Sequence, residues 1–194
     1  MKTYESDYAL FQLAMIQGLQ RTLQAKINNL ERLQAEFPES EYLDDALYEL
    51  GRALERVGQN YEAAQRYNTI IENHPQSNYH RKALLQLGLI NYNQGNYSEA
   101  LTNYKKVAEN YPGTPEAQTA LLGIKNSYIE LNRVDDYFAY ARKLGSGANI
   151  TVSEQDSITY MAAERLYMSK ETGAEAQLRN YLQQYPNGSF AVNA

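Results

Sequence analysis

The chain has no cysteine, no tryptophan and two histidines. The first absence removes disulfides, thiolate nucleophiles and cysteine-ligated metals, and leaves the redox compartment open. The two histidines, His74 and His80, fall in a break between predicted helices and lack the recurrent spacing of a zinc site. Prolines are few, five in 194 residues. No stretch approaches the roughly 18 apolar residues of a membrane span. The opening residues, MKTYESDYAL, carry charge without the apolar run of a secretory leader. Basic residues do not predominate either: 18 Lys and Arg against 23 Asp and Glu leave a net charge of -5, which speaks against a nucleic-acid or anionic-membrane partner. With 43% hydrophobic and 21% charged residues the chain belongs with folded, soluble proteins. Eighteen tyrosines stand out against these absences.

The few prolines are regularly placed. Pro38, Pro75 and Pro112 are 37 residues apart, and Pro186 follows Pro112 after 74. The same step of 37 carries Ala9 to Ala46, Ala83, Ala120 and Ser157, and Leu13 to Leu50, Leu87, Ile124 and Met161. It also carries Gly51 to Gly88, Gly58 to Gly95, Ala63 to Ala100 and Tyr67 to Tyr104. So many coincidences in one register mark an internal repeat. Within a unit, Leu43, Ala46, Leu47, Leu50, Leu54 and Val57 follow the i, i+3, i+4, i+7 spacing of an amphipathic helix. Gly58 marks its end, and a second helix with Ala63, Ala64, Tyr67, Ile70 and Ile71 on one face stops before Pro75.

Each unit is thus a helical hairpin. The pattern predicts helices over 6–21, 24–37, 41–57, 60–73, 78–94, 97–110, 115–131, 134–144, 153–169 and 172–184. The loop Gly145 to Val152 replaces one proline-marked break. Thr114 is the expected cap of the seventh helix, with Pro115 and Glu116 in its first turn. Ser153 and Asp156 form a capping-box pattern before the ninth. Tyr67 and Tyr104 should pack between hairpins, so Tyr67→Ala should cost about 3 kcal/mol or more.

At Leu47, Leu50, Gly51, Leu54, Gly58, Ala63, Tyr67, Ile70 and Pro75 the chain resembles the tetratricopeptide repeat family. The next unit matches with Leu84, Leu87, Gly88, Gly95, Ala100, Tyr104, Val107 and Pro112, but has Asn91 where a large apolar residue is usual. Lys125 and Asn149 depart from the pattern in the fourth unit, and Lys26 in the first. The resemblance implies an all-α, right-handed superhelical solenoid and a single array over 1–194, with hairpins 6–37, 41–73, 78–110, 115–144 and 153–184. Ala194 falls 37 after Ser157, so the array is expected to be cut just before a further repeat. A unit of 37 residues resembles the repeat style of bacterial cell-envelope proteins, including the outer-membrane-protein assembly lipoprotein and the Tol-Pal-linked cell-division coordinator. The fifth unit and its neighbours look most like a large periplasmic protein of Bacteroidetes. Periplasmic or outer-membrane association of the full-length protein is therefore expected.

The family's inner wall is built by the first helix of each hairpin, and partners dock there. Carried over position by position, it gives Phe11, Met15, Tyr48, Arg52, Leu85, Leu89, Tyr92, Leu122, Asn126, Ile129, Leu166 and Tyr167. This wall is apolar and aromatic, which suits an apolar or amphipathic polypeptide, or a neighbouring part of the parent chain, rather than an acidic terminal peptide. If the chain's own helices fill the groove, the same side chains are core and the array is a spacer. No cofactor, metal or catalytic group is expected. The acidic cluster Glu39, Glu41, Asp44 and Asp45 suits a helix N-terminus, Asp135 and Asp136 point apart, and Gly145 and Gly147 lack the Lys-Ser/Thr of a phosphate loop. Asn96, Asn149 and Asn187 fit the Asn-x-Ser/Thr acceptor pattern. An enzyme acting on a cell-wall polymer is the remote alternative, requiring acids from distant repeats to converge.

Overall fold

The computed structural model describes residues 4–145 and 150–194. The described residues form ten α-helices and no strand: α1 (Tyr4–Leu19), α2 (Leu23–Glu36), α3 (Leu43–Arg56), α4 (Asn60–Asn73), α5 (His80–Asn93), α6 (Tyr97–Asn110), α7 (Pro115–Glu130), α8 (Val134–Leu144), α9 (Val152–Met168) and α10 (Ala174–Gln184). Successive helices pack in sequence order, making an all-α solenoid of tandem hairpins. Of the predicted loop Gly145 to Val152, residues 146–149, Asn149 among them, lie outside the described residues, and Val152 already belongs to α9.

One turn closes every first helix. Residues 21, 58, 95, 132 and 170 adopt positive φ, as Arg21 (61°), Gly58 (80°), Gly95 (79°), Asn132 (52°) and Lys170 (54°). The amide that follows each reaches back to the last helical turn: Thr22 N to Gln17 O, Gln59 N to Leu54 O, Asn96 N to Asn91 O and Arg133 N to Tyr128 O at 2.9 Å, and Glu171 N to Leu166 O at 3.0 Å. This left-handed closure satisfies carbonyls that a helix end leaves open.

The spacing of these turns is 37, 37, 37 and then 38. A constant step of 37 is therefore wrong for the fifth hairpin, whose first helix α9 has 17 residues where α7 has 16. One residue turns a helix by about 100°, so the buried stripe moves. Ile158 and Ala162 are buried and Met161, expected in the core, is 49% exposed. Ile158, not Ser157, stands where Ala46, Ala83 and Ala120 stand. The cap keeps the step of 37 from Thr114 but is not the expected one. Thr151 and Glu154 form the capping box, Thr151 Oγ1 accepting from Glu154 N at 3.2 Å, in place of Ser153 and Asp156. Thr114 caps α7 as expected, accepting from Ala117 N at 3.2 Å.

Hairpins are matched inside by size. Ala46, Ala83 and Ala120 are all buried, as are Leu50, Leu87 and Ile124. The Tyr67 ring packs against Gly51, where a Cβ would come within 2.6 Å of it, and its hydroxyl donates to Glu55. Tyr104 is held from two sides, since a Cβ would meet its ring at 2.6 Å on Gly88 and 2.5 Å on Gly123. In the fourth hairpin Lys125 takes the Gly position and the buried Ala141 the Tyr position.

Hairpins are fastened to each other by polar side chains. Ser40 Oγ donates to Asp7 Oδ2 (2.5 Å) and Ser77 Oγ to Asp44 Oδ2 (2.6 Å), while Ser189 N donates to Asp156 Oδ2 (2.7 Å). Each pair spans 33 residues, from the start of one hairpin to the break that follows it. In the third hairpin Arg81 replaces the aspartate and pairs with Glu116 at 3.3 Å. Ser40 and Ser77 also accept from Tyr42 N (3.1 Å) and Tyr79 N (3.0 Å), tightening the break. Accordingly α3 and α5 begin two residues later than the pattern predicts.

Candidate partner-binding face

The twelve predicted wall residues divide into three groups. Tyr48, Ile129 and Leu166 are buried and leave the wall. Tyr48 stacks on Tyr79 at 4.7 Å and tilts against Tyr67 at 5.9 Å, with Lys82 Nζ 5.9 Å from its centroid. Burial raises its pKa, with Arg52 opposing. Ile129 packs in a cluster with Ile158 and Ala162 of α9. Leu166 is core because the extra residue moves it to the position of Leu54 and Tyr128, both buried.

A second group lies towards the ends. Phe11 stacks on Tyr42 at 5.7 Å and Met15 is half-buried beside it on α1. Arg52 is exposed, 3.6 Å from Glu49, which also pairs with the buried Lys26. Tyr167 is exposed at the end of α9. Next to it is the exposed Met168, which a step of 37 does not place on this face. With the step of 38 it takes the position of Arg56, and the recurrence of Asp7, Asp44 and Asp156 carries the same offset in the sequence.

The third group forms the face itself. On α5, Leu85, Leu89 and Tyr92 follow i, i+4, i+7, and on the adjoining α7 Leu122 and Asn126 follow i, i+4. Leu89 and Leu122 are 42% and 52% exposed, large fractions for aliphatic side chains. Leu85, Tyr92 and Asn126 are half-buried around them. Tyr92 meets Tyr97 edge-on at 5.3 Å, and burial raises its pKa, with Glu130 adding to the rise. Two aliphatic centres with an aromatic hydroxyl and a carboxamide at the margin suit an apolar segment whose edges stay hydrated.

The remaining candidates have structural partners. His80 Nδ1 is 2.7 Å from Tyr111 Oη, and burial lowers its pKa with help from Lys106. Asp45 accepts from Tyr79 Oη at 2.6 Å and Asp44 from Ser77, so half of the acidic cluster serves the hairpin junction. Asp136 pairs with Arg133 at 2.6 Å. Among the described residues no group of three His, Cys, Asp or Glu is placed to hold a metal ion, and no helix is long and apolar enough to cross a membrane.

Tandem hairpins with a closed left-handed turn after each first helix, and an apolar strip across adjacent first helices, define a helical-repeat scaffold. Tetratricopeptide repeat profiles match residues 48–115 and 85–144, and another matches residues 8–40. The chain belongs to the tetratricopeptide repeat family. Among solved structures it is similar to a tetratricopeptide repeat protein from Parabacteroides merdae, at 19% identity and a TM-score of 0.58 over 91% of this chain. The chain spans 64% of that protein's length. It is also similar to nearly identical TPR-like repeats of a putative kinesin light chain from Podosopora anserina (14% identity, TM-score 0.58, 97% of this chain and 100% of that one). A thermophilic TPR protein of Thermus thermophilus matches at 22% identity and a TM-score of 0.50, over 93% of this chain and 92% of that one. No curated protein matches the chain.

Proposed function

We propose that the protein is a non-catalytic scaffold that holds an apolar or amphipathic polypeptide segment against the first-helix face of α5 and α7. The observation that carries this reading is the joint exposure of Leu89 and Leu122 beside Leu85, Tyr92 and Asn126. An exposed apolar strip rimmed by polar groups is a mark of an interaction site. Capture of partners by wild type and by Leu89→Asp, with a photo-crosslinking residue at Leu122, tests it. Adducts at position 122 that disappear in Leu89→Asp support the reading, and equal recovery with both proteins sinks it.

Burial of Tyr48, Ile129 and Leu166 favours a second reading, in which the hairpins are spacers and their faces are filled from within. Under it, position 122 yields no adduct at all. We further place the parent protein in the periplasm or at the outer membrane of a Bacteroidetes-like bacterium, with these hairpins as one array inside a longer chain. The support is the repeat style together with the similarity in fold to the Parabacteroides merdae protein. A full-length reading frame without an export signal would remove that placement.

A further inference from the structure

A cleft opens between the fourth and fifth hairpins where the fifth departs from the pattern of bulk. The first helices α3, α5 and α7 each carry two large aliphatics one turn apart, Leu47 and Leu50, Leu84 and Leu87, and Leu121 and Ile124, all buried or half-buried. At the same positions, with the step of 38, α9 carries Thr159 and Ala162. Both line a cleft of about 180 Å³, which has room for several waters or for a small polar ligand in their place. Asn132 and Asp135 line it from the fourth hairpin, and Gln177, Asn180 and Gln184 line it from α10. It therefore lies between two consecutive hairpins and not on an end face of the array.

The lining is polar without being cationic: it holds one carboxylate and no Lys, Arg or His. The side chains of Asn132, Asp135, Gln177, Asn180 and Gln184 have no hydrogen-bond or ion-pair partner among the described residues. Thr159 Oγ1 donates to Gln155 O at 2.7 Å and can still accept. The Tyr181 hydroxyl is already engaged by Asp156 and Phe190, so this residue shapes the cleft without offering its oxygen. Each of the four carboxamides presents a donor and an acceptor together, which matches a hydroxyl group, itself both. Val134 and Ala162 add a small apolar patch, suited to the C–H face of a sugar ring. An anionic ligand would meet Asp135 with no cation in the lining to balance it. An apolar peptide side chain would desolvate the amides and leave them unpaired.

We propose that this cleft binds one ring of a neutral saccharide, held by its hydroxyls through the carboxamides and by its C–H face against Val134 and Ala162. The site lies apart from Leu89 and Leu122, so it stands or fails independently of the polypeptide-binding face. Amide spectra of the nitrogen-15-labelled chain, titrated with D-glucose, D-galactose, D-mannose and N-acetyl-D-glucosamine to about 50 mM, read the result. Glycerol and tetraglycine serve as the small-polyol and polypeptide-backbone probes. At least one sugar should shift the signals of Asn132, Thr159, Gln177, Asn180 and Gln184 with a common Kd of about 1–10 mM, the range open to a ligand this small. Thr159→Leu restores the aliphatic of the earlier hairpins and should abolish the shifts, with unchanged helicity by circular dichroism. Asn180→Ala, at an exposed position, should weaken binding by about 10-fold, and Leu89→Asp should leave it unchanged. Shifts produced by tetraglycine and by no sugar would assign the cleft to a polypeptide and overturn the proposal. So would shifts by no probe at all, glycerol shifts as large as those of every sugar, or sugar shifts that persist in both Thr159→Leu and Asn180→Ala.

Discussion

The junction between the third and fourth hairpins and the junction between the fourth and fifth are built from the same kind of repeat, yet they differ in packing. At the first, the Tyr104 ring fills the space between Gly88 and Gly123, and Leu101, Ala108, Ala120 and Ile124 close around it. At the second, the buried cluster shrinks to Ile129, Ile158 and Ala162. Beside it lies a cleft of about 180 Å³ lined by Asn132, Asp135, Thr159, Gln177, Asn180 and Gln184 among others. In an array where each unit touches only its neighbours, stability is a sum of local terms, so the weak junction need not weaken the strong one. The fifth hairpin is held instead by a polar knot. Tyr181 Oη donates to Asp156 Oδ1 at 2.6 Å, Phe190 N donates to Tyr181 Oη at 3.2 Å, and the Phe190 ring stacks on Tyr160 at 4.7 Å.

The largest effect should come from emptying the strong junction. Tyr104→Ala removes a buried ring from between two helices and should cost about 3–5 kcal/mol, read as a shift in urea midpoint. Tyr67→Ala should fall near the lower end of that range, since its ring is held by one glycine rather than two. A loss below about 1 kcal/mol would show that the neighbours collapse into the space and that the ring is not what fixes the junction. Gly88→Ala should be smaller, about 1–3 kcal/mol, because the new methyl overlaps a ring with little room to retreat.

Within the fifth hairpin, beside the weak junction, the expected change depends on pH. The hydrogen bond from Tyr181, helped by the Ser189 amide and opposed by burial, holds Asp156 below the usual aspartate pKa. A carboxylate with a depressed folded-state pKa adds stability above its unfolded value of about 3.9, and that stability is lost as pH falls through the folded value. Asp156→Asn should therefore cost about 1.5–3 kcal/mol at neutral pH and flatten the loss of stability on acidification below pH about 4. Native-state hydrogen exchange should place that loss in α9 and α10 while α5 and α6 keep their protection. Equal loss in all four helices would show that the two junctions open as one unit.

Much of this contrast is visible in the sequence, and the missing parts have definite causes. A period of 3.6 inside a period of 37 locates ten helices and the buried Ala46, Leu50, Tyr67 and Tyr104, because those positions recur on every turn of the pattern. A fixed step cannot register the added residue before the fifth hairpin closes. It therefore puts Met161 in the core and Leu166 on the wall, whereas the cap at Thr151, 37 after Thr114, is missed because the local pair Ser153 and Asp156 has the same spacing of three. Tyr48 and Ile129 escape the pattern for another reason: their positions face the wall by helical angle, but large neighbours from the next hairpin, Tyr79 and Ile158, cover them. Asp44 and Ser77 lie 33 residues apart, so their bond has no local signature. Leu89 and Leu122 are legible because their positions on the helix lie off the buried stripe, and they stay 42% and 52% exposed.

The pairing of Gly51 with Tyr67 lies within a single hairpin, so this unit brings its own fit of bulk to hollow. Such cassettes can be duplicated, lost or reshuffled in evolution without the neighbours having to change. Tyr104 is the exception, because it leans on Gly123 of the following unit. The third and fourth hairpins are thereby coupled, and a rearranged descendant would have to inherit them together.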